Sequence, residues 1–140
     1  MKICIINGPN LNLLGTRQPE IYGGQTFEDY YTNLQKAYPS VTFSFLQSNV
    51  EGELIDAIQK ASTQVDGIIL NAAAYTHTSV GIGDAVAAIS TPVIEVHISN
   101  TFERESFRHQ SYISKYAKCV IIGFGLKSYK LAVESFIATD

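Results

Sequence analysis

Tryptophan is absent from these 140 residues, methionine occurs once and cysteine twice. The two cysteines, Cys4 and Cys119, each sit in a short apolar run and form no Cys-x-x-Cys pair. They read as small hydrophobes of buried strands in a reducing compartment. The three histidines, His77, His97 and His109, lack the close spacing of a metal site, so neither metal nor cofactor is expected. Lysine and arginine form no basic run, and a formal charge of -3 argues against a nucleic-acid partner. The apolar runs are strand-sized, too short to cross a bilayer, and the first residues lack a signal-peptide core and cleavage site. A P-loop, a dinucleotide fingerprint and a Gly-x-Ser-x-Gly elbow are also missing. The expectation is a soluble cytoplasmic chain whose residues 1–140 form a single catalytic domain without membrane contact.

What is present is alternation. Strand-like runs at Lys2–Asn7, Val41–Gln47, Gly67–Asn71, Pro92–Ile98 and Lys118–Gly123 alternate with helical patterns at Thr26–Ala37, Val50–Thr63, Ser79–Ser90 and Leu126–Ala138. A shorter helix is expected over Ser106–Lys115. Thr26, Asn49 and Thr78 stand where helix caps belong. This pattern predicts an α/β fold, a doubly wound five-stranded parallel sheet of order 2-1-3-4-5, with its ligand beyond the carboxyl ends of the strands. Gly81 and Gly83 weaken the third long helix by about 1 kcal/mol each. Either the first turn frays or something comes close, a ligand or another subunit.

Between the first strand and Thr26 run eighteen residues, Gly8 to Gln25, where a βα connection needs only a handful. The loop is dense in Asn, Arg and Tyr, and Leu11, Leu13, Leu14 and Ile21 can tie it down, so it reads as binding surface. All three arginines, Arg17, Arg104 and Arg108, and all three histidines fall at or after the carboxyl ends of strands 1, 3 and 4, whereas the lysines scatter. One rim of the sheet therefore reads as an anion-binding, proton-transferring cleft.

Arg17 and Tyr22 share the long loop. A free phenol with pKa about 10 is only ~0.1% ionised at pH 7, and a neighbouring cation lowers that pKa by roughly 1–3 units. The plainer alternative is a tyrosine that packs its ring and wets its hydroxyl. Glu95 and His97 lie two apart on the fourth strand and so share a face, where the carboxylate can fix the imidazole and support its protonated form as a general acid. A core histidine bonded to backbone is the alternative. Ser99, Asn100, Asn71 with its following alanines, and Arg108 add groups suited to a hydroxylated carboxylic acid. A nucleotide- or flavin-binding module without turnover shares the fold but needs neither pair. Schiff-base dehydration requires a buried lysine, for which Lys127 and Lys130 are the candidates.

Four segments carry a resemblance: G-P-N-L-N-L-L-G-T-R-Q-P-E-I-Y-G at Gly8–Gly23, Q-S-N-V-E-G at Gln47–Gly52, N-A-A-A-Y-T-H-T-S-V at Asn71–Val80, and Glu95–His109, with E-V-H-I-S-N and R-E-S-F-R-H. In this order the chain resembles type II 3-dehydroquinate dehydratase over nearly its whole length. The resemblance implies a flavodoxin-like fold and cofactor-free dehydration of 3-dehydroquinate to 3-dehydroshikimate in the shikimate or quinate pathways. It also implies a homo-oligomer, a dodecamer of four trimers. It makes Tyr22 the base, Arg17 its activator, Asn12 the residue that positions a water against the enolate, and His97 the acid backed by Glu95. Asn71, His77, Ile98, Ser99 and Arg108 match substrate-binding positions, as does Asp84, reached from a neighbouring subunit. Three residues depart from the pattern: Gly83 where arginine is frequent, Gln18 where glutamate is frequent, and Ser128 where glycine is common.

Overall fold

In the run K-I-C-I-I-N the side chains alternate between two cores, Ile3 and Ile5 to one face and Cys4 and Ile6 to the other. A strand apolar on both faces belongs inside a sheet covered by helices. The computed structural model, which describes residues 1–16, 18–22 and 24–138 with the side chain of Tyr22 excepted, places it there. Its strands are β1 (Lys2–Asn7), β2 (Thr42–Gln47), β3 (Gly67–Asn71), β4 (Val93–His97) and β5 (Cys119–Ile122), all parallel, in the order β2-β1-β3-β4-β5. The fold is the expected flavodoxin-like α/β sheet. Strand limits differ from the sequence reading by a residue or so at several ends, where pairing stops before the apolar run does.

The helices are a single turn α1 (Pro19–Tyr22), then α2 (Phe27–Ala37), α3 (Glu51–Ala61), α4 (Val80–Ala87) and α5 (Lys127–Ile137). On one face Phe27 and Leu34 of α2 pack with Tyr129, Ala132 and Val133 of α5. On the other, Leu54, Ile58 and Ala61 of α3 pack with Ile82, Ala85 and Val86 of α4. Thr26 caps α2 as expected, its hydroxyl accepting from Asp29 N. The other two expected caps are not used. Val50 stands at the N-cap of α3 without a side-chain cap, Ser48 Oγ accepting from its N–H ahead of the helix, and Asn49 spends its oxygen on Asn10 and Gln47. Ser79, not Thr78, accepts from Ile82 N to cap α4.

The expected helix over Ser106–Lys115 does not form. A 3-10 turn covers Ser106–His109, and residues 110–118 are an irregular strap. Ser111 Oγ accepts from the N–H groups of Ile113 and Ser114, a local side-chain pattern that competes with helix, and Tyr112 N donates to Thr76 O at 3.0 Å. Cys119, on the edge strand β5, is partly exposed rather than buried as expected, whereas Cys4, on the inner strand β1, is buried.

The strap also explains Gly83. A Cβ there would lie 2.5 Å from the carbonyl oxygen of Tyr112. The close approach is made by the chain's own strap and not by a frayed turn.

Candidate active site

Beyond the carboxyl ends of β1, β3 and β4 lies a cleft. Asn10, Leu11, Leu13 and Leu14 form its outer wall, on the loop after β1. Leu11 and Leu14 are buried and anchor that loop, while Leu13 is exposed. The Gln47–Asn49 segment braces it: Gln47 Nε2 donates to Gly8 O at 3.2 Å and Asn10 N to Asn49 Oδ1 at 2.9 Å. Asn71, Ala73, Ala74 and His77 form the floor, and His97, Ile98, Ser99, Arg104 and Arg108 the inner wall.

Glu95 and His97 project from the same face of β4 as Val93, toward the side of α3 and α4, by strand alternation. Here the strap covers them in place of a helix. Glu95 is 1% exposed. Its Oε1 lies 2.7 Å from His97 Nε2 and accepts from Ser111 Oγ at 2.9 Å, and its Oε2 accepts from Ser114 Oγ at 2.5 Å. Burial pushes the carboxyl pKa up, but the bonds from His97, Ser114 and Ser111 outweigh it and hold the group below the usual carboxylate range. An ionised carboxylate is thus fixed against one ring nitrogen, which leaves Nδ1 of His97 for chemistry. The backbone is held as well: His97 O accepts from Gly123 N at 3.1 Å and from the buried Ser128 hydroxyl at 3.3 Å. Ser128, a departure from the family pattern, thus ties α5 to β4.

His77 stacks beside His97, ring centroids 6.2 Å apart and planes 22° from parallel. Its Nδ1 donates to Gln110 O at 2.7 Å. Burial is the main reason its pKa is lowered, with the His97 and Arg108 charges working the same way against the Gln110 bond. A neutral His77 keeps Nε2 as a lone-pair site.

Of the residues expected at the site, His97, Asn71, His77, Ile98, Ser99 and Arg108 line the cleft, and Glu95 stands directly behind. Asn12 is exposed and does not line the cleft, its Oδ1 3.5 Å from Gln47 Nε2. Asp84 is exposed on α4 and does not line the cleft of its own chain. Arg17, Gly23 and the side chain of Tyr22 lie outside the described residues. Arg104, whose Nη1 donates to Ser99 Oγ at 3.3 Å, lines the cleft although no individual role is expected of it. Its clustering with the other arginines was the available signal. Lys127 and Lys130 are exposed on α5, away from the cleft, which leaves the Schiff-base alternative without a buried lysine there. Among the described residues no three His, Cys, Asp or Glu side chains are grouped to hold a metal ion, and no helix is long and apolar enough to cross a membrane.

The family model for class II dehydroquinase matches residues 1–137. The chain belongs to the class II dehydroquinase family. It is 47% identical over 140 residues to the 3-dehydroquinate dehydratase of Prochlorococcus marinus (strain NATL1A), covering 99% of this chain and 97% of that one. Catabolic 3-dehydroquinase 1 of Fusarium vanettenii is 52% identical over 134 residues, 94% of this chain and 93% of that protein. The crystal structure of type II dehydroquinase from Butyrivibrio crossotus DSM 2876 superposes with a TM-score of 0.95 at 44% identity, covering 99% of this chain and 98% of the other. As a class II dehydroquinase family member, the chain carries Gly83 and Ser128 with local roles of its own, one against the strap and one on β4.

Proposed function

We propose that the cleft dehydrates 3-dehydroquinate to 3-dehydroshikimate by anti elimination through an enolate, with Tyr22 as base and His97 as acid. The activity itself is the one that family membership carries, a hydro-lyase reaction. The observation that supports the division of labour is the buried Glu95–His97 pair at 2.7 Å, opening onto a cleft rimmed by Arg104, Arg108 and Ser99.

Tyr22, activated by Arg17, removes a proton from the carbon beside the ketone, and the electron pair moves onto the carbonyl oxygen as an enolate. Asn12 positions a water against that oxygen. As the enolate collapses, the carbon–oxygen bond of the departing hydroxyl breaks and Nδ1 of His97 supplies the proton, releasing water and leaving a conjugated enone. Glu95 holds the ring and places a negative charge beside it. Arg108, the Ile98 and Ser99 backbone, Asn71 and His77 bind the carboxylate and hydroxyls. No metal, cofactor or Schiff base takes part in this reading. Asp84 serves the cleft of a neighbouring subunit, which makes the working form a homo-oligomer, a dodecamer of four trimers, in the cytoplasm and in the shikimate or quinate pathways.

The test is direct. Purified protein mixed with 3-dehydroquinate in the presence of EDTA is expected to develop the enone absorbance of the product. Saturable binding without any absorbance change would make the chain a binder and sink the proposal.

A further inference from the structure

Tyr129 heads the fully buried side chains by volume, with no exposure, yet it carries a hydroxyl. From α5 that hydroxyl reaches the carboxyl ends of β1 and β3. It accepts from Asn71 Nδ2 at 2.9 Å and donates to Asn7 Oδ1 at 2.8 Å. Asn7 and Asn71 are register partners, the last residues of two strands at the point where the winding reverses and ligands bind.

The donors and acceptors determine the polarity at Asn71. A backbone N–H can only donate, and that of Ala73 goes to Asn71 Oδ1 at 3.1 Å, so the amide nitrogen of Asn71 must be the atom facing Tyr129. The phenol has one proton, committed to Asn7. Burial keeps that proton in place, holding the pKa far above its ordinary value. Asn71 lines the cleft with its carbonyl already engaged and a single N–H in hand. Ala73, beside it, stands at φ 50, a left-handed conformation uncommon for alanine, and also lines the cleft.

We propose that Tyr129 is a positioning residue for this cleft: from beneath the sheet it fixes the Asn71 amide so that its nitrogen, a hydrogen-bond donor, is what this point of the floor offers the ligand. An oxygen with free lone pairs is admitted at that point, and an N–H there is rejected. The inference rests on the dehydratase reading for the identity of that oxygen, a hydroxyl or carboxylate of 3-dehydroquinate.

Steady-state kinetics on 3-dehydroquinate test it with Tyr129→Phe, Val133→Ala, Asn71→Ala and the Tyr129→Phe/Asn71→Ala pair. Tyr129→Phe is expected to raise KM roughly three- to tenfold, the usual size of one lost hydrogen bond, with kcat within about twofold. Val133→Ala, a cavity in the same helix, lowers Tm and leaves KM alone. In the Asn71→Ala background Tyr129→Phe adds nothing to KM, as two residues acting through one contact require. An unchanged KM in Tyr129→Phe, or a shift that persists without Asn71, overturns the proposal. Asn7→Ala frees the phenol proton from the other end and is expected to give the same KM-selective change should Tyr129→Phe not fold. Wild-type protein inert toward 3-dehydroquinate would instead overturn the dehydratase reading. The positioning role is then decided without ligand, by crystal structures of wild type and Tyr129→Phe: a rotated Asn71 amide supports it, and an unmoved one overturns it.

Discussion

Ser114 donates its hydroxyl to Oε2 of Glu95 at 2.5 Å, on the oxygen opposite the one that faces His97. The strap and β4 therefore share one buried negative charge, and its consequences can be measured by pH. A carboxyl held below the ordinary 4.5 stabilises the folded state above about that pH, and the contribution is lost as pH falls through the lower folded value. Removing a donor raises the folded value. Ser114→Ala is thus expected to lower stability at pH 7 by roughly 1.5–3 kcal/mol, the range for a hydrogen bond to a charged group. Denaturant unfolding should show the gap to wild type narrowing as pH falls below about 4. A gap independent of pH would assign Ser114 to something other than the ionised carboxylate.

His77 is expected to titrate below the ordinary 6.5, because burial disfavours its charged form. The unfolded chain then binds a proton that the folded chain refuses, so stability declines as pH drops from about 6.5 toward the folded value. NMR titration of the imidazole checks the midpoint, and His77→Gln should flatten the decline. A midpoint above 6.5 contradicts the assignment.

Tyr22→Phe is expected to reduce kcat by about 10²–10⁴-fold while substrate still binds, as befits loss of a base rather than of a contact. Retention of more than about a tenth of wild-type kcat counts against Tyr22. Borohydride added during turnover should label no lysine, and a covalent adduct would move the chemistry to an imine.

Arg108 already gives its Nε to Glu105 at 2.5 Å and lies 4.9 Å over the ring of Phe107, two contacts that pin the guanidinium plane at the rim of the cleft. A lysine cannot reproduce a planar fork. Arg108→Lys should raise KM by about tenfold with a smaller change in kcat, read from the same absorbance assay. An unchanged KM would place the carboxylate elsewhere.

The parts of the fold visible in the sequence are those set by local periodicity. β1 and β3 carry unbroken apolar runs ended by asparagine, and both strands have the limits read from them. Leu54, Ile58 and Ala61 likewise put one face of α3 into the core. The misreadings arise where a polar side chain had two possible partners. Asn49 leaves α3 without a side-chain cap because its oxygen is taken by Asn10 and Gln47, and of the adjacent Thr78 and Ser79 it is Ser79 that caps α4. Ser111 and Ser114 looked like helix surface until Glu95, distant in sequence, claimed both hydroxyls. The pairing of Glu95 with His97 was legible because strand alternation alone puts them on one face. Tyr129 was not, because its partners lie 58 and 122 residues away.

Gly8 N donates to Asn71 O at 2.7 Å, and a Cβ on Gly8 would lie 2.5 Å from the Ala72 carbonyl oxygen. Two connections far apart in the chain are stitched backbone to backbone at their roots, with no side chain between them to act as a cushion. A pull on one stalk is felt at once by the other. An inhibitor that grips the long first connection would thereby also load the asparagine beneath it, so chemical groups added at opposite ends of such a compound should not contribute to affinity independently.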